Sequence, residues 1–161
     1  VKRTGYEILD IQKILVALLK ANTSAPWSRW EVIHAWPADD VFDQITKPVI
    51  YIDLPDYAGD IKASGSLPGT QWECIVGLWD DNRTGGDEEI AVMKSQLLYF
   101  FRQKKDLHNK TFTVIIGGTT YTATDLLAQG LAIQAISPAR TIDNDAVNNS
   151  FRVEYNLTII S

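Results

Sequence analysis

The chain reads as an α/β (α+β) protein: a mixed, mostly antiparallel sheet flanked by two main helices, with a long loop or hairpin arm. Three stretches lead to that class. Phe151, Val153, Tyr155, Leu157 and Ile159 alternate with Arg152, Glu154, Asn156 and Thr158, the period of a strand with one buried face. Residues 72–79 place Trp72, Cys74, Val76 and Leu78 on one face and Glu73, Ile75, Gly77 and Trp79 on the other, so both sides of that strand are expected to be covered. Between them Asp87, Glu88 and Glu89 open a segment that closes on Arg102, Lys104 and Lys105. Ile90, Met93, Leu97, Phe100 and Phe101 lie on one of its faces, which is an amphipathic helix with charges matched to its dipole.

The remaining elements follow in chain order. Thr4 and Glu7 have the spacing of a capping box, so a helix is expected to start there. Ile8, Ile11, Leu15 and Leu18 form its apolar stripe, and Asn22, Thr23 and Ser24 stop it. Leu9, Ile14 and Val16 lie off the stripe, which leaves either a helix sunk in its own core or one partly covered by a neighbouring chain. Trp27, Trp30 and Trp36 surround Val32 and Ile33, a short strand-like segment ending at Pro37. Residues 39–45 have room for one or two helical turns. Residues 49–52, Val-Ile-Tyr-Ile after Lys47-Pro48, read as a buried strand, and 53–71 as a long loop or an extended hairpin arm. A hairpin turning at Gly117-Gly118 is expected to run to Thr124, a strand to cover 131–136, and 138–150 to be a broad polar turn between antiparallel strands.

With 161 residues one domain is expected, spanning 1–161, and the sequence shows no internal repeat or interdomain linker. Fifteen Lys and Arg against twenty Asp and Glu give a net charge of −5, the wrong sign for general binding along a duplex. The longest apolar run, 14–19, falls far short of the roughly twenty residues that span a bilayer, so no membrane contact is expected. The single cysteine, Cys74, has no partner for an internal disulfide.

Chemistry-bearing patterns are sparse. Asp80, Asn82 and Thr84 alternate as in a calcium loop, but position twelve counted from Asp80 is Ala91, where a bidentate carboxylate is needed. Gly85-Gly86 precedes a helix, yet the three carboxylates beside it would repel a phosphate. No phosphate-loop, dinucleotide or nucleophile-elbow motif occurs, and nothing gives His34, His108 or Cys74 a catalytic partner. The chain is therefore expected not to be an enzyme and to carry no cofactor or metal. Trp27, Trp30 and Trp36 offer an alternative, an aromatic platform for a carbohydrate or other small ligand. Charge segregation is the sharper signal. Asp80, Asp81, Asp87, Glu88 and Glu89 precede the second main helix or begin it, and Arg102, Lys104, Lys105 and Lys110 cluster at its far end. Head-to-tail association between copies would bring those ends together, and heterologous contacts of that kind close into rings.

The order of elements, from an amino-terminal helix through the strand Lys47-Pro48-Val49-Ile50-Tyr51-Ile52, a long arm, the strand 72–79 and a Gly-Gly-acid helix start to carboxy-terminal antiparallel strands, resembles that of the tail terminator (tail completion) proteins of tailed bacteriophages. The resemblance covers most of the chain and rests on order, length and pattern. It implies a structural virion protein at the head–tail junction, assembled in the host cytoplasm as a hexameric ring. The ring would cap the tail tube, stop its polymerisation and dock the head or neck. Its partners would be further copies of itself, the tail tube protein and a neck or connector protein, with DNA passing through the lumen without specific binding. Under that resemblance the ring contacts fall on the charged residues just named, and tube or neck contacts on the arm at Asp56, Tyr57, Asp60 and Lys62. Another head–tail joining protein, a connector or stopper, shares the same length and symmetry.

Overall fold

The computed structural model describes residues 5–23, 25–34, 48–61, 69–80, 86–102, 111–137, 140–145 and 150–161. Among the described residues it is a mixed α+β fold with three helices, a mostly antiparallel seven-stranded sheet and a separate two-stranded sheet. The sheet is built around two long strands, β4 (Gly69–Asp80) and β9 (Ser150–Ile160), which run antiparallel from Gln71 opposite Ile160 to Asp80 opposite Phe151.

Each outer edge of this central pair carries two short strands laid end to end. On β4, β2 (Val49–Ile52) faces residues 76–79 and β3 (Asp56–Ile61) faces residues 69–73. The Asp53 N–H donates to the Ile75 carbonyl at 3.0 Å and carries the ladder across the gap. Buried Pro55 sits where the strand is interrupted, as a residue without an N–H must. On β9, β7 (Ala132–Ile136) faces 157–160 and β8 (Arg140–Asp145) faces 150–154, with Ser137 N–H on the Asn156 carbonyl at 2.8 Å between them. β1 (Glu31–His34) pairs parallel with β2, the one parallel pairing among the described residues. The arm expected at 53–71 is thus a hairpin of β3 and the first half of β4, and β4 begins three residues earlier than its apolar pattern suggests. The polar stretch expected to be a broad turn contains the strand β8.

α1 (Ile8–Lys20) starts one turn later than its sequence suggested. Glu7 is its N-cap, and the Asp10 carboxylate accepts the Glu7 N–H at 2.9 Å, so the box is Glu7–Asp10 in place of Thr4–Glu7; Thr4 lies outside the described residues. Ile8 and Leu9 are exposed, whereas Ile11, Ile14, Leu15, Val16, Leu18 and Leu19 are buried in the chain's own core. α2 (Gly86–Arg102) runs as expected, its apolar face buried, with Tyr155 of β9 donating its hydroxyl to the Lys94 carbonyl at 3.3 Å. β5 (Thr113–Ile116) and β6 (Thr119–Thr122) make the expected hairpin. Gly117 and Gly118 both have positive φ, 58° and 80°, as a tight turn matched to the strand twist requires. β6 ends at Thr122, where a strand to Thr124 was expected, because Thr122 and Asp125 cap each other and start α3 (Ala123–Ala128).

The two faces of the sheet bury different clusters. The helix face joins Val32, Ile50, Ile52, Trp72, Cys74, Val76 and Leu78 with the apolar half of β9 and with α1 and α2. The indole N–H of Trp27, in a single 3-10 turn (Trp27–Arg29), donates to the Leu19 carbonyl at 3.1 Å, and its ring lies 5.2 Å from that of Phe100. On the opposite face Val49, Tyr51 and Trp79 form a smaller buried cluster flanked by Ile33 and Ile75. Alternation along β2 explains why all four of its residues are buried: each face of the sheet takes two.

Candidate functional site

The first turn of α2 presents Asp87 and Glu88 to solvent, near its positive dipole end, and the last turn presents Arg102. The other charges expected in this patch are placed differently. Asp80 is only 3% exposed at the end of β4, so its carboxylate belongs to the fold and not to the surface. Glu89 is half-buried, and one of its oxygens accepts Arg29 Nε at 2.9 Å, Arg29 Nη2 at 2.6 Å and the Trp30 indole N–H at 3.1 Å. That carboxylate fastens the segment before β1 to the start of α2. Asp81, Lys104, Lys105 and Lys110 lie outside the described residues.

On the arm, Asp56, Tyr57 and Asp60 are exposed on β3, and Lys62 lies outside the described residues. A β-bulge separates Tyr57 from Gly59, whose φ of 136° suits glycine. Tyr57 is 59% exposed and sets its ring edge-on to Trp72, with centroids 6.3 Å apart. A hydrogen bond to the Asp60 carboxylate raises the pKa of its phenol. Trp72 in turn donates its indole N–H to Ser161 Oγ at 2.9 Å, and Thr70 and Ser161 exchange backbone hydrogen bonds at 2.9 Å. With Leu54 also exposed, the arm offers two large apolar side chains between carboxylates.

Sequence reasoning missed a polar network on the face of the sheet opposite the helices. The Tyr51 ring crosses β4 directly over Gly77: a Cβ built on Gly77 would lie 2.0 Å from Tyr51 Cζ and 2.3 Å from its hydroxyl oxygen. The phenol reaches β9, donating to Glu154 Oε1 at 2.7 Å and accepting from Arg152 Nε at 3.0 Å, while Arg152 Nη2 pairs with the same Glu154 oxygen at 2.9 Å. Burial pushes the Tyr51 hydroxyl well above its ordinary pKa, so it remains a donor at any physiological pH. Gly77, a glycine inside a strand otherwise rich in large residues, was the one signal of this close approach.

The other candidate groups have structural settings. Cys74 is buried, its thiol donates to the Asp53 carbonyl at 3.2 Å, and burial together with Asp53 and Asp56 pushes its pKa up to about 12. His34 is exposed at the end of β1, and His108 lies outside the described residues. Trp27, Trp30, Trp72 and Trp79 are all buried, and Trp36 lies outside the described residues, so no described indole is exposed as a ligand platform would need. Among the described residues no three His, Cys, Asp or Glu side chains gather as a metal site, and no helix is long and apolar enough to cross a membrane. The chain matches no model of a known protein family. It matches no curated protein either.

Proposed function

We propose that this chain is a structural virion subunit of the tail terminator kind, assembling as a homo-oligomeric ring, hexameric by the resemblance, at the head–tail junction of a tailed phage. One face of the ring would cap the tail tube and stop its growth, and the other would dock the head or neck. DNA would pass through the lumen without being retained, as the chain's net charge of −5 favours. The observation that carries the reading is the element order: α1, the buried strand β2, the β3–β4 arm, the acid-led helix α2 and the closing antiparallel strand β9 occur in the sequence on which the resemblance rests. The arm, with exposed Leu54, Asp56, Tyr57 and Asp60, is the proposed tube or neck contact. Exposed Asp87 and Glu88 on one side and Arg102 with the sequence-adjacent Lys104 and Lys105 on the other are the proposed ring contacts.

A connector or stopper would use the same architecture and differs only in its partner. A carbohydrate-binding module is less favoured, because Trp27 and Trp30 are committed to the core. Light scattering on a size-exclusion column at low and moderate salt, with negative-stain images, tests the proposal. Rings near six times the 18.0 kDa chain mass, alone or on purified tails, together with tubes of uniform length are expected. A protein that neither forms rings nor binds tails would overturn it. Reversing Lys104 and Lys105 to Glu is expected to lower the ring mass, and an unchanged mass would remove the charge-pairing contact.

A further inference from the structure

The solvent side of α2 has an arrangement that its amphipathicity does not require. Its exposed residues are Asp87, Glu88, Ala91, Val92, Ser95, Tyr99 and Arg102. Glu88, Ala91, Val92, Ser95, Tyr99 and Arg102 fall within about 100° of helical arc and form a single stripe along the helix. A solvated helix face usually scatters charge along its length. Along this stripe charge is confined to the two ends, acidic at the start and basic at the finish, and the middle is small or apolar, with Val92 37% and Tyr99 67% exposed; half-buried Lys94 lies beside the stripe and not in it.

The stripe is also symmetric about Ser95. Glu88 and Arg102 each lie seven residues from it, and Ala91 and Tyr99 each lie four. Laid antiparallel against a copy of itself with Ser95 at the two-fold axis, α2 would set Glu88 opposite Arg102 of the other copy and Arg102 opposite its Glu88. Each Tyr99 would meet the small side chain of Ala91, and the two Ser95 residues would face each other. Small side chains at Ala91 and Ser95 let two helices approach to the near end of the usual 8–10 Å range. Within one helix Glu88 and Arg102 are about 21 Å apart along the axis and cannot satisfy each other.

We infer that the outer face of α2 is an isologous interface, and that its occupant is the α2 of a second copy of this chain. The charge complementarity is exact only for an antiparallel partner, since a parallel one would oppose like ends. A single helix face supplies less than the roughly 800 Å² per partner of a standard stable interface, so the pair forms reversibly with concentration and weakens with salt. Such a contact closes at two copies, unlike head-to-tail association, and it does not rest on the ring reading. The two would compete for the same helix ends, making the pair the state of the subunit away from the tail.

Cysteine cross-linking and mass measurements on the full chain test the inference. Ser95→Cys, at the axis, is expected to give a covalent dimer under mild oxidation, and Glu88→Cys, about 20 Å from its counterpart, is not. Buried Cys74 leaves the background low. By sedimentation velocity at low salt the parent chain is expected to populate a species of twice the 18.0 kDa chain mass. Ser95→Arg, an exposed change to a better helix former, should convert that species to monomer. Glu88→Arg and Arg102→Glu should each weaken it at least fivefold, and combining them should restore it. A chain that stays monomeric at all concentrations, a Ser95→Cys variant that cross-links no faster than Glu88→Cys, or a dimer indifferent to Ser95→Arg would each overturn the inference. Rings that persist in Ser95→Arg while the dimer is lost would show the two contacts to be separate, and loss of the dimer inference by any of these outcomes would leave the proposed function standing.

Discussion

Adding one methyl group at Gly77 should unseat the network on the far face of the sheet. A Cβ there would lie 2.0 Å from Tyr51 Cζ, where carbon atoms normally rest about 3.5–4.0 Å apart, so the ring must move by about 1.5 Å or more. Tyr51 has no room to do so, being fully buried with Val49 and Trp79. Overpacking of this kind costs typically 1–3 kcal/mol. Shifting the phenol also breaks its hydrogen bonds with Glu154 and Arg152, each worth about 1.5–3 kcal/mol with a charged partner, although those two side chains keep each other. Alanine in place of glycine in a strand returns about 0.5–1 kcal/mol. The terms overlap, and Gly77→Ala should destabilise the chain by about 3–4 kcal/mol. In urea, with a slope of about 2 kcal/mol/M, the midpoint followed by tryptophan fluorescence would fall by about 1.5–2 M at constant slope. Pairing Gly77→Ala with Tyr51→Leu should cost clearly less than the sum of the two changes, because the second removes the ring that the first strikes. A loss under about 1 kcal/mol for Gly77→Ala, or strict additivity in the pair, would refute the packing argument.

Two further outcomes follow from the same geometry. Glu89→Gln weakens the contacts to Arg29 and Trp30 without removing the acceptor; since Arg29 is 40% exposed, the loss should stay near 1 kcal/mol, measured by the same unfolding curve. Stability should fall at alkaline pH: folding raises Cys74 from near 9 to about 12 and Tyr155 from near 10 to about 12, mainly by burial, and raises Tyr51 too. The folded state therefore holds protons that the unfolded state releases, so their contribution is complete below pH 9 and is lost progressively up to pH 12. A pH titration of the urea midpoint that stays flat from 9 to 11 would contradict this.

How much of the molecule was legible depended on whether the information was local. β9, β4, β2 and α2 show in the sequence because burial on one or both faces imposes a period that neighbouring residues share. β8 does not, since an edge strand with the composition Arg-Thr-Ile-Asp-Asn-Asp is held by its ladder to β9 and has no alternation to reveal it. α3 is hidden for a different reason: the threonines at and before its start favour a strand, and only the reciprocal cap of Thr122 and Asp125 turns the chain. The candidate sites divide in the same way. The charges at the ends of α2 are visible, but not that Glu89 is held by Arg29, 60 residues away, or that Asp80 is buried. Arg152 and Glu154 look like ordinary solvent-facing residues of an alternating strand until the register sets them beside Tyr51, about a hundred positions earlier.

The long central ladder also dictates when the molecule can become itself. β4 pairs with β9 at sequence separations of 71 to 89 residues, from Asp80 with Phe151 to Gln71 with Ile160. A chain emerging from the ribosome therefore completes its arm, α2 and the small hairpin while one whole edge of β4 still lacks a neighbour. Closing so distant a contact is slow, and an open edge of that length invites strangers. Only on synthesis of β9 does the sheet acquire its centre.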